Sequence, residues 1–408
     1  MPGRLGVWLG ERRIGELTNI PGDYNVFSAD DDYADDPERP VLSQSFIGKN
    51  GNVRRTIPRT HTVSPPFFAN LLPEENTLLR GMLAAQHRIN RLREFPFLRV
   101  LGADLPGAVV LRELDAFDEP AENGVMPATD AGDRPLRFSL AGVQLKFSAS
   151  MLAERLTIPL EGIGGSWIVK LPANAFPRLP ENEFAMMSFA SAIGLDVPEL
   201  RLIPMASVGG LPHDLPALRA DEPPLLYAIA RFDRTHDGSR FHVEDFNQIA
   251  NQKPADKYES YATHWVANVV QTLCEPNDVD ELVRRIVFGI GIGNNDMHLK
   301  NWAMTYPDGR NAKLAPMYDH VCTTLYHPNG MLALTVGGER EFARIDRAAI
   351  GRLAARGELS MTRALIVAGE TVEKMRDAWP RVRETVPDAG LVAAVERQFA
   401  TVPLMNGR

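Results

Sequence analysis

Leu5, Val7 and Leu9 alternate with other residues at the start of the chain, and Ile14 to Leu17 continues after the turn-forming Gly10-Glu11-Arg12. Period-two alternation interrupted by a short polar break predicts a β-hairpin. From Asp23 to Arg59 the pattern becomes polar and irregular, with acidic runs at Asp30-Asp31-Asp32 and Asp35-Asp36. Loops around one or two short strands are expected there. Ser64-Pro65-Pro66 has the composition of a helix start, and Phe67, Leu71, Leu72, Leu78, Leu79 and Met82 follow at roughly helical spacing. Residues 101–111 read as a turn entering a β-branched strand. Ala116 to Asp133 is rich in Pro, Gly and acidic residues and is expected to be a linker.

A second unit begins at Arg137. Trp167 to Leu171 and Leu225 to Phe232 are its clearest strands, and Glu183 to Ile193 reads as a helix between them. Beyond about residue 243 the pattern is mostly helical. Leu282, Val283, Ile286, Val287 and Ile290 form one apolar stripe, and three further helical patches lie near 346–356, 361–378 and 387–400. No internal repeat or low-complexity tract interrupts this order. A β-rich segment (1–115), a mixed sheet with one helix (134–240) and a helical mass (241–408) predict a bilobal α+β protein.

Composition narrows the picture. A chain of 408 residues exceeds what one core usually serves, and 44% hydrophobic with 24% charged residues is ordinary for a globular protein. The formal net charge of −8 argues against autonomous nucleic-acid binding, which needs a basic face. The local cluster Arg54, Arg55 and Arg59 reads as a solvated loop. Two cysteines, Cys274 and Cys322, without CxxC spacing give neither a disulfide scaffold nor a zinc site. No signal peptide or membrane-spanning stretch is evident, so a cytoplasmic protein is expected.

The chemistry concentrates in Gly289 to Asn301, GIGIGNNDMHLKN, where an apolar helix runs into a polar loop. Asp296 and Asn301 are spaced D-x-x-x-x-N. Phosphoryl transfer calls for such a pair on one loop: an Asp to accept the proton of a hydroxyl nucleophile and an Asn to hold magnesium. Asp319 follows in APMYDH, after a hairpin expected to turn at Pro307-Asp308-Gly309. Either carboxylate alone reads as an Asx turn or a cap; the ordered set reads as a phosphotransfer site. His298 and Lys300 either neutralise transferred phosphate or serve as loop packing and a solvated charge, and His320 and Cys322 are expected only to pack near Asp319. Lys170, among apolar neighbours in WIVKLP, reads either as a lysine paired with a carboxylate on the next helix, as in kinases, or as an edge-strand lysine reaching solvent. Glu181 and Glu183 open the next helix, and Glu183 is the preferred partner. RFSLAGVQLKFS, residues 137–148, places small residues between strand-like pieces, where backbone amides can approach phosphates, although an ordinary hairpin turn gives the same letters. No GxxxxGK[ST] is present, and the glycines of GIGIG follow a helix, unlike a dinucleotide fingerprint.

Together these motifs resemble the HipA family of toxin kinases over nearly the whole chain. RFSLAGVQLKFS resembles its serine-bearing phosphate loop, WIVKLP its ATP-lysine strand and NEFAMMSFASAIGLDVPE the helix after it. YAIARFDR resembles the hinge strand, VEDFNQIANQKPADKYE the following signature, and NNDMHLKNW with APMYDH the catalytic and metal motifs. LGVWLGERRIGEL, PPFFANLLPE and LGADLPGAVVL match the N-terminal unit. The resemblance implies a protein-kinase-like fold in which 134–240 is the nucleotide-binding part and 241–408 carries the catalytic and metal motifs. It implies Asp296 as catalytic base assisted by Lys300, and Asn301 and Asp319 as Mg2+ ligands. Lys170, tethered by Glu183, would hold the ATP phosphates. Ala141, Gly142, Val143 and Gln144 would line the phosphate loop, and the backbone of Ala230, Arg231 and Phe232 would meet adenine. Ser139 is the implied site of inhibitory autophosphorylation, since phosphate there adds negative charge beside the nucleotide's own. The implied partners are a HipB-like helix-turn-helix antitoxin, DNA only through it, and a translation protein such as glutamyl-tRNA synthetase as substrate. Two other readings stand beside this one: a catalytically idle co-repressor, and a kinase for a lipid or small-molecule acceptor.

Overall fold

The computed structural model describes residues 3–114, 145–152, 155–158, 164–212, 215, 218, 223–235 and 238–407. The predicted hairpin forms β1 (Gly3–Leu9) and β2 (Arg12–Ile20), and β3 (Tyr24–Ala29), β4 (Thr56–His61) and β5 (Val109–Glu113) extend it into an antiparallel sheet of order β4-β3-β2-β1-β5. Helices α1 (Asp31–Asp35), α2 (Pro66–Ala69), α3 (Leu78–His87) and α4 (Glu94–Leu101) accompany it. The helix expected from Ser64 is thus split in two. Pro73 lacks the N–H that a continuing helix would need, and Thr77 caps a fresh start by accepting from the Arg80 amide. Arg55 is not a free basic residue, because it pairs with Asp31 and Asp35. The expected 116–133 linker lies outside the described residues.

The second sheet consists of β6 (Lys146–Leu152), β7 (Arg155–Thr157), β8 (Trp167–Lys170), β9 (Leu200–Pro204) and β10 (Leu225–Ala230), in the antiparallel order β7-β6-β8-β10-β9. Helix α5 (Leu179–Ala192) packs beneath it, beginning four residues before the predicted start. Beyond residue 241 a small sheet, β11 (His242–Asp245), β12 (Ala303–Tyr306) and β13 (Lys313–Leu314), sits beside α6 (Phe246–Ile249), α7 (Thr263–Leu273) and α8 (Pro276–Gly291). The three C-terminal patches form α9 (Arg347–Arg356), α10 (Met361–Val382) and α11 (Ala389–Thr401).

Alternation along the second sheet divides the molecule's core. On β8 and β10, Trp167, Val169, Leu226 and Ala228 pack with the N-terminal sheet, with Phe147 and Ala149 of β6 beside them. Tyr227 and Ile229, one residue out of phase, face the helical mass instead. Lys146 and Lys170 are register partners on β6 and β8, and they share the second of these faces. A buried ionic network pins the two units where the sheets meet. Arg231 donates to Asp233 at 2.8 and 2.7 Å and to Ser148 at 2.7 Å, and Arg234 reaches Asp104 at 2.9 Å. Burial pushes Asp233 up, but Arg231 and Arg234 outweigh it and hold the carboxyl well below its ordinary range.

Candidate active site

Lys170 ends β8 with its ammonium turned toward α5. Its Nζ lies 2.5 Å from Glu183 Oε1 and also pairs with Asp319 Oδ1. Glu183, not Glu181, meets this lysine. Burial favours the neutral amine, but the two carboxylates outweigh it and keep Lys170 charged. One ammonium cannot hold two buried carboxylates equally. Burial lifts Glu183 to about 7 against the attraction of Lys170. Asp319 is also pushed up by burial, but Lys170 and Lys146 overcome this and hold it low. Asp319 is therefore the firmly ionised partner. It sits at φ +56°, in the left-handed region, a strain that non-glycine residues adopt mainly where the surroundings impose it.

The loop after α8 is braced by its own polar groups. Gly293 takes φ +71°, and a Cβ there would meet Thr324 Oγ1 at 2.2 Å, so only glycine fits this exit. The Asp296 amide donates to Asn294 Oδ1 at 3.0 Å, and the Asp296 carbonyl accepts from the His298 amide at 2.7 Å and from Asn301 Nδ2 at 2.9 Å. Asn301 is thereby oriented with its Oδ1 left to accept elsewhere. Burial pushes the Asp296 carboxyl up, while a 2.8 Å hydrogen bond donated by Tyr258 Oη acts against it. His298 is buried, held neutral by that burial, and packs edge-on against the Tyr258 ring at 5.0 Å. Lys300 is buried too. Its Nζ points to the N-terminal unit, 3.5 Å from the Asn70 carbonyl and 3.8 Å from Glu74. His320 Nδ1 donates to the Tyr318 carbonyl at 2.8 Å and the ring packs near Trp302 and Phe288, and Cys322 is fully buried.

Lys146, Lys170, Asp296, Lys300, Asn301 and Asp319 line one cavity of about 640 Å³, within the range of small-ligand sites. Ala230, Arg231 and Phe232 form part of its wall. The first two amides are already spent, on the carbonyls of Glu199 at 2.9 Å and Ser166 at 2.8 Å. Those two N–H groups are therefore committed within the protein, and the Arg231 side chain belongs to the inter-unit network. Carbonyl oxygens and the Phe232 amide are what this strand end can offer. Ser139, Ala141, Gly142, Val143 and Gln144 lie outside the described residues. Glu74, Lys146, Lys257 and Tyr258 were not singled out as site residues. Lys257-Tyr258 stood inside the signature VEDFNQIANQKPADKYE and Glu74 at the end of PPFFANLLPE, but nothing in either stretch showed that the two meet.

A sheet-borne lysine tethered to a helix glutamate, facing an Asp/Asn loop and a second aspartate, defines a bilobal α+β fold of the protein-kinase-like class. Known proteins place it more narrowly. The HipA-like C-terminal domain matches residues 138–379 and the HipA N-terminal domain residues 5–112. The kinase candidate Y4dM of Sinorhizobium fredii is 40% identical over 405 residues, covering 98% of this chain and 97% of the relative. A second from that organism, Y4mE, is 28% identical over 428 residues, covering 97% and 96%. The HipA toxin of Shewanella oneidensis MR-1, solved with HipB and operator DNA, superimposes with a TM-score of 0.72 at 18% identity over 99% of both chains. The chain belongs to the HipA family.

Proposed function

We propose that this protein is a toxin-type protein serine/threonine kinase using ATP and Mg2+. The observation that carries this reading is the convergence of the Lys170–Glu183–Asp319 ion cluster and the Asp296–Asn301 loop on one cavity. Among the described residues no three His, Cys, Asp or Glu side chains cluster as a complete metal cage. Magnesium takes one or two protein carboxylates and completes its shell with phosphates and water. The Asp319 carboxylate and the free Asn301 Oδ1 supply a fitting donor pair. ATP, when bound, supplies the phosphoryl group, and the metal offsets its charge. Lys170 would hold the phosphates and Glu183 would hold Lys170. Asp296 would orient the acceptor hydroxyl and take its proton, with Lys300 a buried cation on the same loop.

The finer readings follow from membership of the family. Ser139 would be the site of inhibitory autophosphorylation, a HipB-like helix-turn-helix antitoxin the partner, and DNA would be met only through that partner. A translation protein, glutamyl-tRNA synthetase being one choice, would be the cytoplasmic substrate. Peptide mass spectrometry of the protein with ATP and Mg2+, beside Asp296→Asn, tests this directly. One phosphate on Ser139, absent in the variant, is expected. Transfer only to a lipid or small acceptor would replace the protein-kinase reading, and no transfer alongside retained antitoxin binding would favour an idle co-repressor.

A further inference from the structure

Tyr258 presents its hydroxyl to the carboxylate read above as the catalytic base. Its Oη donates to Asp296 Oδ1 at 2.8 Å, although the residue is 40% exposed and lies 38 positions away in sequence. Such a contact at a cavity wall could be incidental if the tyrosine were free to turn, but it is anchored on three sides. The ring packs edge-on to His298 at 5.0 Å. The Lys257 carbonyl accepts from the Leu299 amide at 3.3 Å, tying this segment to the Asp296 loop. The Lys257 ammonium is gripped by both oxygens of Glu74, at 2.9 and 3.1 Å, and lies 5.3 Å from the Tyr258 ring centre. The N-terminal unit therefore helps to fix this hydroxyl.

A carboxylate offers two oxygens. With Oδ1 taken by an anchored donor and the backbone of Asp296 held by Asn294, His298 and Asn301, Oδ2 is the oxygen left for an incoming hydroxyl. We propose that Tyr258 is a positioning residue, which holds Oδ1 of Asp296 so that Oδ2 faces the acceptor. This rests on Asp296 being the base. The acceptor's proton goes to Oδ2, and Tyr258 keeps its own throughout.

The test is Tyr258→Phe in the full-length protein, which removes the hydroxyl and keeps the ring against His298. Single-turnover transfer from radiolabelled ATP, to the protein itself or to water, is followed across ATP concentrations beside Asp296→Asn. ADP affinity by calorimetry and the melting temperature are measured on each variant. The expected result is a maximal rate lowered by roughly 10- to 100-fold, as for a slightly misplaced reacting group. The half-saturating ATP, the ADP affinity and the melting temperature should stay as in the wild type. A wild-type rate in Tyr258→Phe with an inert Asp296→Asn overturns this inference alone. An active Asp296→Asn, or a wild-type protein that transfers phosphate to nothing, overturns the base assignment and the inference with it. Weakened ADP binding or a lowered melting temperature in Tyr258→Phe makes the residue structural, and phosphate found on Tyr258 makes it an acceptor; either result overturns the proposal.

Discussion

Lys170 is 5% exposed and Glu183 1% exposed, so neither charge can turn to water if its partner is lost. Lys170→Met should therefore cost about 3–5 kcal/mol, the usual penalty for breaking a buried pair, along with all phosphoryl transfer. Urea unfolding measures the first, and a loss below ~1 kcal/mol would show that water already reaches the pair. Lys170→Met with Glu183→Leu should recover part of the stability while staying inactive, because it removes the fully buried carboxylate, while Asp319 still loses its ammonium partner but is 30% exposed and can meet water. Legibility at this scale followed locality. The Asp296 and Asn301 spacing was readable because it lies within one loop, whereas Lys170 was readable only beside the other motifs, since a single strand lysine reads as readily as an edge residue reaching solvent. Glu74 and Tyr258 were not, since their roles depend on contacts 183 and 38 positions away.

Strand β11 shows how a short element can carry much of a junction. Its four residues were expected within a mostly helical region, because a four-residue strand leaves too little alternation to read; Pro96 similarly hid α4. The long stripe of α8 and the hairpin of β1 and β2 were legible because their periods repeat. On β11, His242 Nε2 meets the Leu42 carbonyl at 2.7 Å, and Glu244 accepts from Ser43 at 2.8 Å, the Gln44 amide at 3.0 Å and Tyr306 at 2.5 Å. Burial lowers His242 from 6.5 to about 4 and raises Glu244 from 4.5 to about 7. The two act in opposite senses. His242 contributes stability that is present above pH 6.5 and lost as pH falls toward 4, because the unfolded chain takes up the proton more readily. Glu244 contributes stability that is present below pH 4.5 and lost as pH rises toward 7, because the folded chain binds the proton more tightly. Glu244→Gln leaves His242 uncompensated, so the variant should lose more stability than the wild type on acidification from pH 6.5 to 4.5. Melting temperatures across that range check it, and parallel curves would refute it.

The boundary near residue 115 separates stretches of chain but not cores. Phe147, Trp167, Val169 and Leu226 of the second sheet are packed in the same cluster as Leu5, Phe27, Phe67 and Leu111 of the N-terminal unit. Burying a large apolar side chain is worth about 1.5–3 kcal/mol. Removing the first 114 residues would uncover these four at a cost on the order of 10 kcal/mol, as large as the whole stability of a typical domain. The same cut takes Asp104 from Arg234, and Ser43 and Gln44 from Glu244, leaving Arg234 with Asp233 and Glu244 with Tyr306 as their remaining partners. It also removes Glu74, the anchor of Lys257 beside the cavity. The full-length protein should therefore melt in one transition, with calorimetric and van't Hoff enthalpies in agreement. The fragment beginning at residue 115 should show no cooperative melt and should bind a hydrophobic dye. Two resolved transitions in the intact protein, or a sharp melt in the fragment, would mean that the shared face contributes far less than its burial implies.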